Sequence, residues 1–270
     1  MAAGRLALVF FVDALGWEVV RDSDCFAAIA PHRWRQRTVL GYSCAAQPTI
    51  LTGKMPAEHG HWGMFYRSEN SALARLGRMR FLPTVVTGHR RFRRRLLLWH
   101  RRQSGFTGYY NFYRVPFELF STFDIVEKKD IYAPAAFDPG VSSIFDHLVN
   151  GDLSCSSWSW KSGLDQSLTE LEDELREGQT RFFLLYTPHI DGFLHDKVDD
   201  DSAVARELAM VEDKITSVIE KAREMYSQVD VLIYSDHGML KTTGAFDLMG
   251  HMRDVELAPG RDYTVFYDST

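Results

Sequence analysis

Three short runs of this chain are hydrophobic, and each leads into an acidic residue. Leu6–Val12 (LALVFFV) stops at Asp13, Phe182–Thr187 (FFLLYT) is followed by Asp191, and Val231–Ser235 (VLIYS) runs into Asp236. A strand with one wet face alternates apolar with polar residues, so runs without alternation suit strands covered on both faces. Such strands belong to parallel sheets, which present their functional groups at the carboxyl ends. The intervening segments agree. Ser142–Asn150 reads as a short helix. Leu164, Leu168, Leu171 and Leu175 recur at helical spacing before a C-terminal Gly178, and Val204, Leu208, Val211, Ile215 and Ile219 mark a long amphipathic helix. Strands are expected over 181–187 and 229–235. The fold expected is α/β, with a mostly parallel sheet and helices on both faces.

Two segments stand apart. Residues 64–134 are rich in Arg, Phe and Tyr without clear strand alternation, and read as a cap inserted into a single domain spanning 1–270. Tyr263–Tyr267 (YTVFY) reads as a further core strand, so the domain is expected to be incomplete at its C-terminus. The three cysteines, Cys25, Cys44 and Cys155, form no spaced disulfide framework. The apolar start is interrupted by Asp13 and lacks a small-residue cleavage site, so it reads as a strand and not a leader. No apolar stretch is long enough to span a bilayer. A cytoplasmic protein is expected, and the net charge of -5 gives no reason to expect nucleic acid as a partner.

The chemistry gathers at the strand ends. Asp236-His237-Gly238 offers a carboxylate and an imidazole, with Gly238 expected to permit the sharp bend that lets neighbours share a ligand. Asp191 and His195 are spaced i, i+4, which puts both on one side of a helical turn. Asp13 adds another carboxylate. Mixed oxygen and nitrogen donors suit Zn²⁺, with Mn²⁺ second, better than Ca²⁺. Taken alone, an Asp at a strand end is more often a cap or turn residue; the recurrence after three strands favours a metal site.

The segment Ser43–Gly53 (SCAAQPTILTG) reads as a turn entering a helix, with Pro48 expected in the first turn. It is followed by Pro56-Ala57-Glu58-His59-Gly60. With these elements the chain resembles the alkaline phosphatase superfamily, most closely its type I phosphodiesterase/nucleotide pyrophosphatase branch. In that superfamily the nucleophile lies ten positions before the Gly of a Leu-Thr-Gly element, which here is Ser43 before Gly53. The resemblance spans residues 6–60 and 181–239. It implies a metal-dependent hydrolase of phosphoric esters, phosphodiesterase or phosphatase, acting through a phosphoseryl intermediate on Ser43. It also implies two divalent metal ions, one held by Asp13, Asp236, His237 and Ser43, the other by Asp191 and His195. A further ligand of the second ion would be a later histidine, and His251 is the only one after His237. Sulfatases carry an arginine four residues after the nucleophile, where this chain has Gln47, which argues against sulfate esters. His59 is expected to buttress the nucleophile turn.

The substrate implied is a small phosphate ester or a phosphorylated glycan or lipid headgroup. The rival readings are a phosphotransferase or mutase on the same scaffold, and a truncated non-catalytic domain binding metal or an anionic surface. The second rests on residues 88–102, where seven arginines surround Phe92, Leu96 and Trp99 on a shared helical face. Such a helix contacts an anionic membrane or steers an anionic substrate. The plainer reading packs its apolar side on the core and leaves a solvated arginine face.

Overall fold

The computed structural model describes residues 3–113, 115–258 and 261–263. Six strands form among them: β1 (Ala3–Val12), β2 (Phe65–Arg67), β3 (Phe123–Ile125), β4 (Cys155–Trp158), β5 (Phe182–Thr187) and β6 (Tyr226–Tyr234). Four make one sheet in the order β4-β5-β1-β6, with every neighbouring pair parallel. The α/β fold with a parallel sheet and flanking helices is therefore the one observed.

The apolar runs explain it. In β1, Leu6, Leu8, Phe10 and Val12 enter one core with Phe183 and Leu185 of β5. That core is closed by Leu171 from the helix Leu164–Glu177 and by Val211, Ile215 and Ile219 from the helix Asp201–Met225. Val9 and Phe11 point the other way with Leu184 and Tyr186, against Leu51, Phe145 and Leu148 of the helices Ser43–Thr52 and Ile144–Asn150. Side chains alternate faces along a strand, so a run without polar residues needs a helix layer on each side. Burying one such Leu or Phe contributes about 1.5–3 kcal/mol.

The expected helices form, with their ends set by identifiable caps. Gly178 closes Leu164–Glu177 at φ +67°, and Ser143 and Asp146 make a reciprocal capping box at the start of Ile144–Asn150. The long helix passes straight into β6 at Tyr226, ahead of the expected Val229.

Two expectations change, one strand was not expected, and one expected strand lies mostly outside the described residues. β6 is an edge strand among the described residues, so Val231, Ile233 and Tyr234 are only half-buried and Leu232 is exposed. β4 was not legible: its Cys-Ser-Ser-Trp sequence has no apolar run, and its polar groups are satisfied by Glu174, Glu170 and the Tyr132 carbonyl. Pro48 lies in the second turn of its helix, because that helix already begins at Ser43. It cannot donate the ladder bond to the Cys44 carbonyl, and Thr49 and Thr52 add side-chain bonds to the Ala45 and Pro48 carbonyls at 2.9 and 2.6 Å. The strand expected at Tyr263–Tyr267 lies, Tyr263 apart, outside the described residues.

The described residues gather into two compact units, 3–62 with 131–241 and 63–130 with those from 242 onward. The first holds the four-stranded sheet. The second has its own core, built from Leu73, Leu76, Leu96, Tyr110, Phe112 and Phe120, and a short antiparallel β2–β3 pair. Its arginine-rich run is a helix, Arg90–Ser104, with His89 as N-cap and Gly105 closing it at φ +69°. The expected apolar face is rotated. Leu96, Leu97 and His100 are buried, whereas Trp99 turns outward. His100 sets this rotation, because its Nδ1 lies 2.9 Å from the Tyr110 hydroxyl and its ring edges meet Phe106 and Phe112.

In the first unit, His59 and His61 are buried together. His59 Nδ1 accepts from the His61 amide at 3.0 Å, so its Nε2 carries the proton and donates to Thr49 Oγ1, also at 3.0 Å. This ties the segment Pro56–His59 to the Ser43 helix, the buttressing expected of His59. Burial, with His59 alongside and only Asp138 opposing, pushes His61 down to about 4 from its ordinary 6.5. The unfolded chain therefore takes up this proton first as pH falls. Stability from neutral His61 is complete above pH 6.5 and is lost on descent toward pH 4, in total about 3 kcal/mol. Urea midpoints at pH 7 and pH 4.5 are expected to differ less in His61→Gln than in the parent chain; equal differences would contradict the assignment.

Candidate active site

Strand register brings the first carboxylates together. Phe11 of β1 pairs with Tyr186 of β5 and with Tyr234 of β6. Asp13 and Asp236 each lie two residues past that row, so they emerge level from adjacent strand ends. The Asp13 amide extends the ladder by donating to Thr187 O at 3.0 Å. β5 continues through Pro188 into the helix His189–Lys197, whose first turn carries Asp191. One donor atom each from Asp13, Asp191 and His237 lie within 4.8 Å of one another.

Ser43 joins this group from the opposite side. Tyr42, at φ +54°, makes the sharp turn that starts the helix at Ser43. Ser43 Oγ stands 3.0 Å from His237 Nε2 and 3.5 Å from Asp13 Oδ1. A helix N-terminus also favours negative charge beside it.

The electrostatics of this group are lopsided. Asp13 and Asp236 are buried, and among the described residues no lysine or arginine pairs with Asp13, Asp191 or Asp236. Burial and then the neighbouring Asp236 push Asp13 up to about 8. Burial also raises Asp191. Asp236 Oδ1 accepts the His237 amide at 3.0 Å, but Asp236 Oδ2 is buried and, among the described residues, has no hydrogen-bond partner. His237 Nδ1 lies 3.3 Å from the Gly238 carbonyl, which favours the proton on Nδ1 and leaves the Nε2 lone pair facing Asp13 Oδ1 at 3.4 Å. Lone pairs directed at one another, an orphaned carboxylate oxygen and three clustered acids fit a divalent cation bound by oxygen and nitrogen donors.

The remaining expected residues are placed less centrally. His195 Nε2 is 3.5 Å from Asp191 Oδ2, as the i, i+4 spacing requires, but its side chain is 56% exposed at the rim. Asp191, expected with His195 at a separate ion, also stands with Asp13 and His237. His251 is exposed on the helix Leu248–Arg253 with its ring 5.7 Å from Phe246.

Two features were not legible in the sequence. Tyr186 donates its hydroxyl to Asp13 Oδ2 at 2.5 Å, and its ring stacks on Tyr132 at 5.6 Å. Tyr132 in turn donates to Gln47 Oε1 at 2.9 Å, reaching the Ser43 helix. The sole local signal was a hydroxyl-bearing aromatic in an otherwise apolar run. The other is the role of Gly238. Its φ is outside the left-handed region, so the expected bend is not what requires glycine. Close approach does: a Cβ on Gly238 would lie 2.9 Å from Gly16 Cα, and one on Gly16 would lie 2.3 Å from Gly238 Cα.

No curated relative matches this sequence. The sequence model of type I phosphodiesterase / nucleotide pyrophosphatase matches residues 8–265, a span that holds every residue of this constellation. The chain belongs to that family and so to the alkaline phosphatase superfamily.

Proposed function

We propose that the chain is a metal-dependent hydrolase of phosphoric esters, with Ser43 as the nucleophile and a phosphoseryl intermediate. The family's activity is phosphodiester and pyrophosphate hydrolysis, and its members are typically metal-dependent. The observation that carries the reading is the approach of Ser43 Oγ to His237 Nε2, at 3.0 Å, beside the Asp13–Asp191–His237 donor group.

Asp13, Asp191 and His237 would hold one divalent ion, zinc before manganese, with Asp236 Oδ2 as a further donor and His195 extending Asp191 toward a second. A bound cation supplies positive charge that lowers the pKa of a neighbouring hydroxyl and stabilises the charge developing on phosphoryl oxygens. Ser43 Oγ attacks phosphorus in line and the ester's alcohol leaves; water then displaces Ser43 and releases phosphate or its monoester. The helix beginning at Ser43 favours the anionic group through its dipole. Tyr186 fixes the orientation of Asp13 by holding Oδ2, which leaves Oδ1 toward Ser43 and His237. The substrate class is a small phosphate ester or a phosphorylated glycan or lipid headgroup.

The test is elemental analysis of protein purified without chelator, with turnover of bis-p-nitrophenyl phosphate and p-nitrophenyl phosphate in the same sample. Stoichiometric zinc or manganese with turnover supports the reading. A metal-free chain that hydrolyses neither ester after zinc loading would overturn it. Product appearing only with an added alcohol acceptor would move the assignment to phosphotransfer.

Tyr186→Phe is expected to keep the fold, since the ring stack is preserved, and to weaken metal affinity about 10–100-fold. Competition against a chromophoric zinc chelator reads this directly. Unchanged affinity would show that the Tyr186 hydroxyl has no part in orienting Asp13.

A further inference from the structure

Among the described residues no helix is long and apolar enough to cross a membrane, yet residues 63–130 have an unusual balance of charge and exposed apolar surface. They carry 14 of the chain's 31 Lys and Arg but only 5 of its 36 Asp and Glu, and 12 of those 14 cations are arginine. The helix Arg90–Ser104 divides its arginines into two kinds. Arg93 turns inward, with Nε donating to Thr87 O at 2.6 Å and Nη1 facing the carbonyls of Phe112, Tyr113 and Val115. Arg101 donates to Tyr110 O at 2.9 Å. The structure of the unit accounts for these two.

It does not account for the others. Arg90, Arg91, Arg94, Arg95 and Arg102 are exposed, and among the described residues none is in an ion pair. They recur in steps of one helical turn, so they line one outward face. That face also presents Leu98 and Trp99, 50% and 49% exposed. The segment just before the helix exposes Phe81 and Val85 at 79% and 85%, with Leu82 and Val86 beside them. The outward face thus sets a tryptophan and a leucine among its arginines. A basic helix with a large aromatic and aliphatic residues at its charged border is the pattern of an interfacial helix, which lies in the headgroup layer of an anionic bilayer. Guanidinium groups bind phosphate through paired N–H donors, and tryptophan favours the headgroup depth.

We propose that the Arg90–Ser104 helix, with the preceding 81–86 segment, docks this protein on an anionic phospholipid surface. The outward guanidinium groups meet lipid phosphates while Trp99, Leu98, Phe81 and Val85 enter the headgroup–acyl boundary. The inference is independent of the catalytic reading, because none of these residues belongs to the Asp13–Ser43–His237 constellation.

The test is co-sedimentation of the full chain with phosphatidylcholine vesicles, with and without phosphatidylglycerol, at low and physiological salt. Binding is expected only to the anionic vesicles and should weaken as salt rises. Arg94→Glu/Arg95→Glu is expected to weaken it by at least about 10-fold, and Leu98→Ser/Trp99→Ser by about the same. Both variants alter exposed side chains only, so their circular dichroism and p-nitrophenyl ester turnover should match the parent chain. Absence of binding to anionic vesicles would overturn the proposal, as would equal binding by both variants. Binding to a single-stranded oligonucleotide in preference to the vesicles would overturn it in favour of a nucleic-acid surface.

Discussion

Ser43→Ala is expected to abolish turnover, by on the order of 10⁴-fold or more, with the fold and most of the metal binding intact. The substitution removes one oxygen. Ser43 sits at the first turn of its helix without a side-chain cap bond, and among the described residues the polar partners of its hydroxyl are His237 Nε2 and Asp13 Oδ1. Asp13, Asp191 and His237 keep their mutual spacing without it. Alanine is also a good helix former, so thermal stability should change by no more than about 0.5 kcal/mol. Rates on both p-nitrophenyl esters, zinc content and the thermal midpoint would be measured together. Acid-quenched parent protein should carry a phosphoryl group on the peptide containing Ser43, and the variant should not. Normal turnover by the variant would sink the nucleophile assignment, whatever the metal content.

Gly16→Ala is expected to have the next largest effect, although Gly16 touches no substrate. Its φ of -69° suits any residue, so backbone strain is not the obstacle. Space is. The added Cβ would stand 2.3 Å from Gly238 Cα and 3.0 Å from Gly238 N, both backbone atoms that cannot rotate away. The turn after β1 and the turn after β6 must therefore separate, and those two turns carry Asp13 and His237. Overpacking of this kind costs about 1–3 kcal/mol. A displacement near 1 Å in a catalytic group lowers the rate by about 10²-fold. Urea denaturation should show the stability loss, and kcat/KM with zinc titration should show a matching loss of activity and metal affinity. A variant of parental stability and activity would mean that the two turns part without moving the site.

Both expectations depend on contacts that the sequence carries to different degrees. The runs leading to Asp13 and Thr187 were legible because a strand buried on both faces needs no alternation, and that property is local; the run to Ser235 was legible by the same apolar pattern although it forms an edge strand. The helices were legible for the same reason: the leucines from Leu164 to Leu175 and the aliphatics from Val204 to Ile219 repeat at 3.6-residue spacing, and Gly178 stops the first. Ser43 was legible through its spacing from Gly53 and the Pro-x-x-His-Gly element that follows. β4 was not, because a strand whose polar groups are satisfied by Glu174, Glu170 and the Tyr132 carbonyl leaves no periodic mark. The outward turn of Trp99 was not either, because the rotation of the Arg90–Ser104 helix is chosen by what His100 and Arg93 find in the segments on either side of it.

By itself, then, the sequence determined the strands β1, β5 and β6 and the long helices beside them, a parallel sheet with helices on both faces, and acids and imidazoles that follow the ends of those strands. Tertiary structure decided how those groups meet. It put Asp13 and Asp236 level through the pairing of Phe11 with Tyr234, set Tyr186 against Asp13, and pressed Gly16 against Gly238. The physical reason is range. Hydrophobic periodicity and capping act within a few residues and leave a readable pattern, whereas strand register and close backbone approach join residues more than a hundred positions apart and leave none.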